Sequence, residues 1–281
     1  MMTSDFRLKT AQNAVRKKTM ARFCTLCSSS SGNATYIGTA SYGILIDAGL
    51  NCKQLTLAMD RAGIDPDAVK AIFVTHEHSD HIGALKVFAA KHKLPVYATG
   101  GTLAGLANEG LLDGRFPHEK IMERGVDIGD IHVSFFRTSH DAKESCGYRV
   151  ELPDRTIGVA TDTGKMTGEI LRGLAGCDLV LLESNYDEDM LDFGPYPLPL
   201  KARIRSEIGH LSNDVCAETA CELLESNVRR FVLGHLSREN NTPDRAYACT
   251  HAALKRIGAV EGRDYTLSVA PVREMERYMV L

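Results

Sequence analysis

The stretch Ala71 to Gly83, AIFVTHEHSDHIG, decides the fold. Its first five residues are apolar or β-branched, the composition of a buried strand. His76, His78, Asp80 and His81 follow at once. Imidazole and carboxylate groups are costly to bury without partners. Such a dense group at the end of a buried strand needs a common partner, and a metal ion is one. In extended chain, His76 and His78 point to the same side. Asp80 and His81 come as the chain turns into a helix, so they address a second point nearby.

Other expected strands end in similar chemistry. Residues 131–138 lead to His140, 155–162 end in Asp162, 177–184 carry Glu183, and 229–235 end in His235. Strand ends let a rigid sheet aim side chains at one place while loops stay open to substrate. One cation can use His76, His78 and His140, and a second can use Asp80, His81 and His235. Asp162 either bridges the two or forms a turn in TDTG, and its strand-end place favours the bridge. Two bridged ions lie roughly 3.5–4 Å apart and hold a hydroxide that hydrolyses esters, phosphodiesters or amides. Donors without cysteine suit Zn(II) or Mn(II), with Fe(II) equally compatible. His92, His118, His132 and His251 read as ordinary surface or capping residues.

The 281 residues are 44% apolar and 25% charged, with a formal net charge of −3. That describes a soluble α/β protein with a sizeable core and no global basic field. No apolar run is long enough to span a bilayer, and the polar first twenty residues lack the core of a secretory signal. Residues 1–20 read as an N-terminal extension, 21–281 as a single catalytic domain, and the location as cytoplasmic. The eight cysteines then read as reduced thiols, with Cys24 and Cys27 packed in a strand. Strand clusters in each half, followed by strands alternating with helices, predict two mixed sheets face to face with helices outside. Helices are expected at 51–62, 82–91, from Gly100 to about Glu109, at 212–226 with Ser212 as cap, and after Thr242-Pro243.

The set THEHSDH (75–81), Ser139-His140, Thr161-Asp162 and Gly234-His235, in this order, resembles the metallo-β-lactamase superfamily. The resemblance implies an αββα sandwich with a dinuclear site at one edge and supports the ligand roles above. The di-iron flavoproteins of that superfamily carry Glu where this chain has His78. Glyoxalase-like members follow their third motif with a Pro-Gly-His-Thr turn, whereas this chain reads TSHDAK. About fifty residues separate Glu183 from His235, too few for the β-CASP insertion, and no arm for transfer RNA stands out. CSSSSGN (27–33), THEHSDH, GHLSN (209–213) and LGHLSRENNTP (233–243) resemble the compact YycJ/WalJ-like group. That resemblance implies a 5′→3′ exonuclease acting on DNA, and in some members RNA, with no membrane or protein partner evident. The open alternatives are a lactonase or cyclic phosphodiesterase on the same metals, and a non-catalytic nucleic-acid-binding module.

Candidate roles follow. Asp80 orients the nucleophile and takes its proton. His210 lies just before a helix, where it either caps the helix or donates a proton to a leaving oxygen. Glu183 orients it or is a solvated strand end; the superfamily's transfer-RNA nucleases use such a pair. Ser29, Ser31, Gly32 and Asn33 form either a plain turn or a loop whose N–H groups hold a terminal phosphate. Arg238 and Asn240 are candidates for the nucleic-acid backbone.

Overall fold

Alternation within single strands sets the layers of this computed structural model, which describes residues 20–39, 41–121, 123–271 and 279–281. In β4 (Val69–Phe73), Ala71 and Phe73 face one way, into a core shared with Tyr148, Val159, Leu181 and Val232. Ile72 and Val74 face the other way, against Leu55, Met59, Leu85 and Phe88 of covering helices. In β11 (Leu179–Glu183), Leu179 and Leu181 point into that shared core. Val180 and Leu182 pack instead on Leu174, Ala220, Leu223 and Leu254. Period-two patterning with both faces apolar is what a strand buried between a second sheet and a helical layer requires. The result is the expected αββα sandwich.

The first sheet combines β4 with β1 (Arg22–Ser29), β2 (Gly32–Gly38), β3 (Gly43–Ile46), β5 (Val96–Ala98), β6 (His118–Lys120) and β14 (Met279–Val280), in the order β14-β1-β2-β3-β4-β5-β6. The second combines β11 with β7 (Val126–Ile128), β8 (Ile131–Arg137), β9 (Cys146–Glu151), β10 (Thr156–Ala160), β12 (Arg230–Gly234) and β13 (Thr266–Val269), in the order β13-β12-β11-β10-β9-β8-β7. β3 to β6 are parallel, as are β10 to β13. β8 and β10 both run antiparallel to β9, so they share a direction. These strand ends therefore meet at one rim.

Helices Cys52–Arg61, Leu85–His92 and Gly100–Asn108 cover the first sheet. Helices Gly168–Leu174, Asn213–Glu225 and Pro243–Arg256 cover the second. The expected caps are present: Ser212 Oγ accepts from Val215 N at 3.3 Å, and Thr242 Oγ1 from Arg245 N at 3.2 Å. Cys24 and Cys27 are buried, each thiol pushed up to about 12 by desolvation. Among the described residues no helix is long and apolar enough to cross a membrane.

The structure departs from expectation in three places. The helix expected over 82–91 is two, Ser79–Ile82 and Leu85–His92. Ala48 pins the break, its N–H donating to His81 O (2.8 Å) and its carbonyl accepting from Ala84 N (2.7 Å). The polar stretch after Glu109 holds β6, wholly exposed and without alternation, and β7, only three residues long with Val126 and Ile128 half-buried against the inter-sheet core. Helices Gly168–Leu174, Glu188–Phe193 and Leu198–Arg205 were not legible: all are short, and the last begins within the proline-rich run PYPLP. Residues 1–19 of the expected extension lie outside the described residues.

Phe73 tests the inter-sheet core. It is fully buried, stacks on Tyr97 at 5.1 Å and meets Tyr148 edge-on at 5.6 Å. Phe73→Ala is expected to lower stability by about 3–5 kcal/mol, read as a lower urea midpoint at unchanged slope.

Candidate metal centre

Three strand ends are bent into an unusual conformation to build the rim. Asp47, Asp162 and His235 have φ of 60°, 58° and 54°. Left-handed backbone is uncommon for residues other than glycine and costs on the order of 1 kcal/mol or more. All three project into the same place, so the strain coincides with the site. A fourth close approach depends on Gly49, where a Cβ would lie 1.6 Å from Asp80 O. No other residue lets the loop after β3 lie against the loop carrying Asp80.

The seven expected donors converge. His76, His78 and His140 present ligand atoms within 4.8 Å of one another, and so do Asp80, His81 and His235. Asp162 spans both sets: its Oδ1 lies 3.1 Å from His235 Nε2 and 3.8 Å from His140 Nε2, and its Oδ2 lies 3.2 Å from His81 Nε2. The other nitrogen of each buried ring is fixed. His81 Nδ1 donates to Asp47 Oδ2 (2.7 Å), and His140 Nδ1 to the Gly209 carbonyl (2.9 Å). His235 Nδ1 donates to Asn33 Oδ1 (3.2 Å). The Thr75 hydroxyl donates to Asp47 Oδ2 (2.8 Å), so it accepts from His76 Nδ1 (3.0 Å). These contacts turn the Nε2 atoms toward the centre.

The donor set fits divalent cations. His76 Nε2 and Asp162 Oδ2 are buried and make no hydrogen bond among the described residues. Burial drives His76 well below its ordinary range, leaving a neutral imidazole, the form that binds metal. Burial also opposes a charged His81, yet the Asp162, Asp47 and Asp80 carboxylates outweigh it and hold that ring well above its ordinary value. A proton shared among buried carboxylates is the charge that a cation displaces on binding.

A second unit flanks this cluster. His210 Nδ1 donates to Glu183 Oε1 at 2.7 Å, and Glu183 Oε2 accepts from Thr163 N at 2.8 Å. Burial lowers the His210 pKa, but the Glu183 charge and hydrogen bond more than offset it, and the ring rises to about 8. It stacks 5.3 Å from the His235 ring and lies 5.0 Å from that of His140. Asp162, Glu183, His210 and His235 also form a donor group within 4.8 Å, but both Glu183 oxygens already accept hydrogen bonds.

The loop candidates divide. Ser31 is exposed, whereas Ser29 is buried with its Oγ 2.9 Å from Ser31 Oγ. Gly32 opens β2, packed on Leu50. Asn33 is buried as a brace: its Nδ2 donates to Ser29 O (3.0 Å) and Asp80 Oδ2 (3.3 Å), and lies 3.1 Å from His81 Nε2. It supports the cluster rather than offering a free face to substrate. Arg238 is exposed three residues beyond His235. Asn240 corrects the expectation of a backbone contact. It is fully buried, its Nδ2 directed to Ser237 Oγ (3.4 Å), because the loop folds back and Asp187 N binds its carbonyl (2.8 Å).

Sequence reasoning missed Asp47 and Asp141. Asp47 ends the apolar run GILI, the same signal that exposed Asp162. Asp141 lies in a polar loop without such a signal; its Oδ1 lies 3.4 Å from His140 Nε2 and 4.0 Å from His78 Nε2, and Arg203 Nε donates to its Oδ2 at 2.6 Å. Asp47→Asn is expected to weaken divalent-metal affinity about 10–100-fold, measured by chelator competition.

Residues 42–236 match the family model described as the beta-lactamase superfamily domain, and the chain belongs to the metallo-β-lactamase superfamily. Within it the chain falls in the YycJ/WalJ-like group. It is 36% identical over 247 residues to the exodeoxyribonuclease WalJ of Streptococcus pneumoniae, covering 87% of this chain and 92% of that protein. It is 34% identical over 249 residues to the exodeoxyribonuclease YycJ of Bacillus anthracis, covering 87% and 93%. The metallo-β-lactamase fold protein YhfI of Bacillus subtilis has the same fold, with a TM-score of 0.69 at 14% identity, over 90% of this chain and 98% of that one. Zn(2+)-bound PqqB of Methylobacterium extorquens gives 0.68 at 14%, over 92% and 100%.

Proposed function

We propose that the protein is a metal-dependent hydrolase that removes nucleotides from the 5′ end of DNA. The observation that carries this reading is Asp162, shared between two histidine sets beside a histidine held on Glu183. The likeness to two exodeoxyribonucleases over 87% of the chain supports the substrate class. His76, His78 and His140 would hold one Zn(II) or Mn(II), Asp80, His81 and His235 a second, and Asp162 both. Such cations, when bound, supply positive charge for phosphate oxygens and acidify water near neutral pH.

The residues of the chain divide the remaining work. Asp80, half-buried beside His81, orients the attacking water and takes its proton. A bond from the water oxygen to phosphorus forms as the bond to the leaving sugar oxygen breaks. His210, protonated near neutral pH through its contact with Glu183, gives its proton to that oxygen. Asp47, Thr75 and Asn33 hold the imidazoles in the required tautomers. Exposed Ser31 and Arg238 are the substrate contacts nearest the cluster along the chain.

A substrate panel tests the reading: 5′-phosphorylated DNA and RNA, a chromogenic phosphodiester and a lactone, each with Mn(II) or Zn(II). Stepwise shortening of the DNA from its 5′ end is expected. Turnover of the lactone alone would make the protein a small-molecule hydrolase, and oligonucleotide binding without cleavage would make it a binding module.

A further inference from the structure

A cleft of about 650 Å³ opens on the same rim, lined by Thr99 after β5, Lys120 of β6, Arg124, and Phe135 and Arg137 of β8, with Glu123 and Glu144 on its wall. The packed 143–144 segment separates it from the metal cluster. Glu77, between His76 and His78, accepts from Lys143 N at 2.9 Å. The Lys143 carbonyl packs on Gly101, 3.1 Å from where a Cβ would lie. Gly100 beside it is covered by Lys120, whose Nζ would be 3.6 Å from a Cβ there. A chain of contacts thus runs from the histidines through Lys143 to Lys120.

Basic side chains gather along that path, with exposed Glu123 and the Glu144 carboxylate, which also feels Lys120, among them. Lys120, Arg124, Arg137 and Lys143 are all exposed. Arg137 pairs with Glu144 Oε1 at 2.8 Å, and Glu144 Oε2 accepts from Gly101 N at 2.6 Å. That carboxylate is thereby neutralised within the wall. Lys120, Arg124 and Lys143 make no ion pair among the described residues. Half-buried Phe135 adds an aromatic surface. Spaced cations beside an aromatic ring match single-stranded nucleic acid, whose phosphates need charge and whose bases stack on any ring.

We propose that this cleft carries the continuing strand of a single-stranded DNA substrate, with phosphates on Lys143, Lys120 and Arg124 and a base against Phe135. This rests on the exonuclease reading and assigns the path that the uncut nucleotides follow. The test uses the full chain loaded with Mn(II) and the double charge reversal Lys120→Glu with Arg124→Glu. Two substrates are compared, a 5′-phosphorylated DNA of about twenty nucleotides and a 5′-phosphorylated dinucleotide. The variant is expected to raise KM for the long DNA about tenfold or more and to flatten its log–log salt dependence by about 1.4, for two lost phosphate contacts. Dinucleotide kinetics stay at wild-type values, and the charge-conserving pair Lys120→Arg with Arg124→Lys restores the long-substrate KM. Unchanged KM and salt slope on the long DNA would overturn the assignment while leaving the exonuclease reading intact. A wild-type protein that cuts neither DNA would overturn the exonuclease reading, and the cleft's role with it.

Discussion

Asp162→Asn is expected to abolish DNA shortening, by about a thousandfold or more, or at least about 4 kcal/mol of barrier. Asparagine is the informative replacement because it tolerates the left-handed φ of 58° found there, whereas alanine adds backbone strain. The amide keeps the shape of the carboxylate but offers one neutral oxygen where two charged ones serve both histidine sets. Bound metal should fall with activity while the circular dichroism of the protein stays native. A variant with normal metal content and only mildly reduced turnover would remove Asp162 from the bridging role.

His210→Ala is expected to behave differently. It lies outside the proposed ligand set, so metal content stays at the wild-type level. Its proposed work is proton donation to a poor leaving group, for which general acid catalysis contributes about 10²–10⁴-fold. The loss should therefore appear in kcat on DNA and nearly vanish on a p-nitrophenyl phosphodiester, whose leaving group departs without a proton. Glu183→Gln, which keeps a hydrogen-bond acceptor near His210 but removes the charge, should show the same contrast more weakly. Equal losses on both substrates would mean that His210 supports the architecture of the site rather than its chemistry.

Much of the donor set is legible in the amino-acid sequence. AIFVT followed by His76, His78, Asp80 and His81 is readable because burial and polarity conflict there so sharply. His140, Asp162 and His235 were legible for the same reason at the ends of β8, β10 and β12. The two sheets followed from strand clusters in each half of the chain, succeeded by strands alternating with helices. Edge strands β6 and β7 were not legible, since three residues at a sheet edge are too short a run to show a pattern and owe their conformation to a partner strand. The buried places of Asn33 and Asn240 were not legible, because a polar residue in a serine-rich or Asn-rich loop looks solvated. Only the fold reveals that one loop packs under the histidines and the other folds beneath Gly194. Asp141 became visible only when the segment holding Ile208 and Gly209 closed over the loop after His140.

The central claim is that these side chains hold a pair of divalent cations. Equilibrium dialysis of the purified chain against Mn(II) or Zn(II), with metal counted by atomic emission, addresses it without any substrate. Two ions per chain are expected in the wild type and fewer in a His76→Ala variant. A wild-type chain that retains no ion, or a His76→Ala variant that retains as many as the wild type, would contradict it.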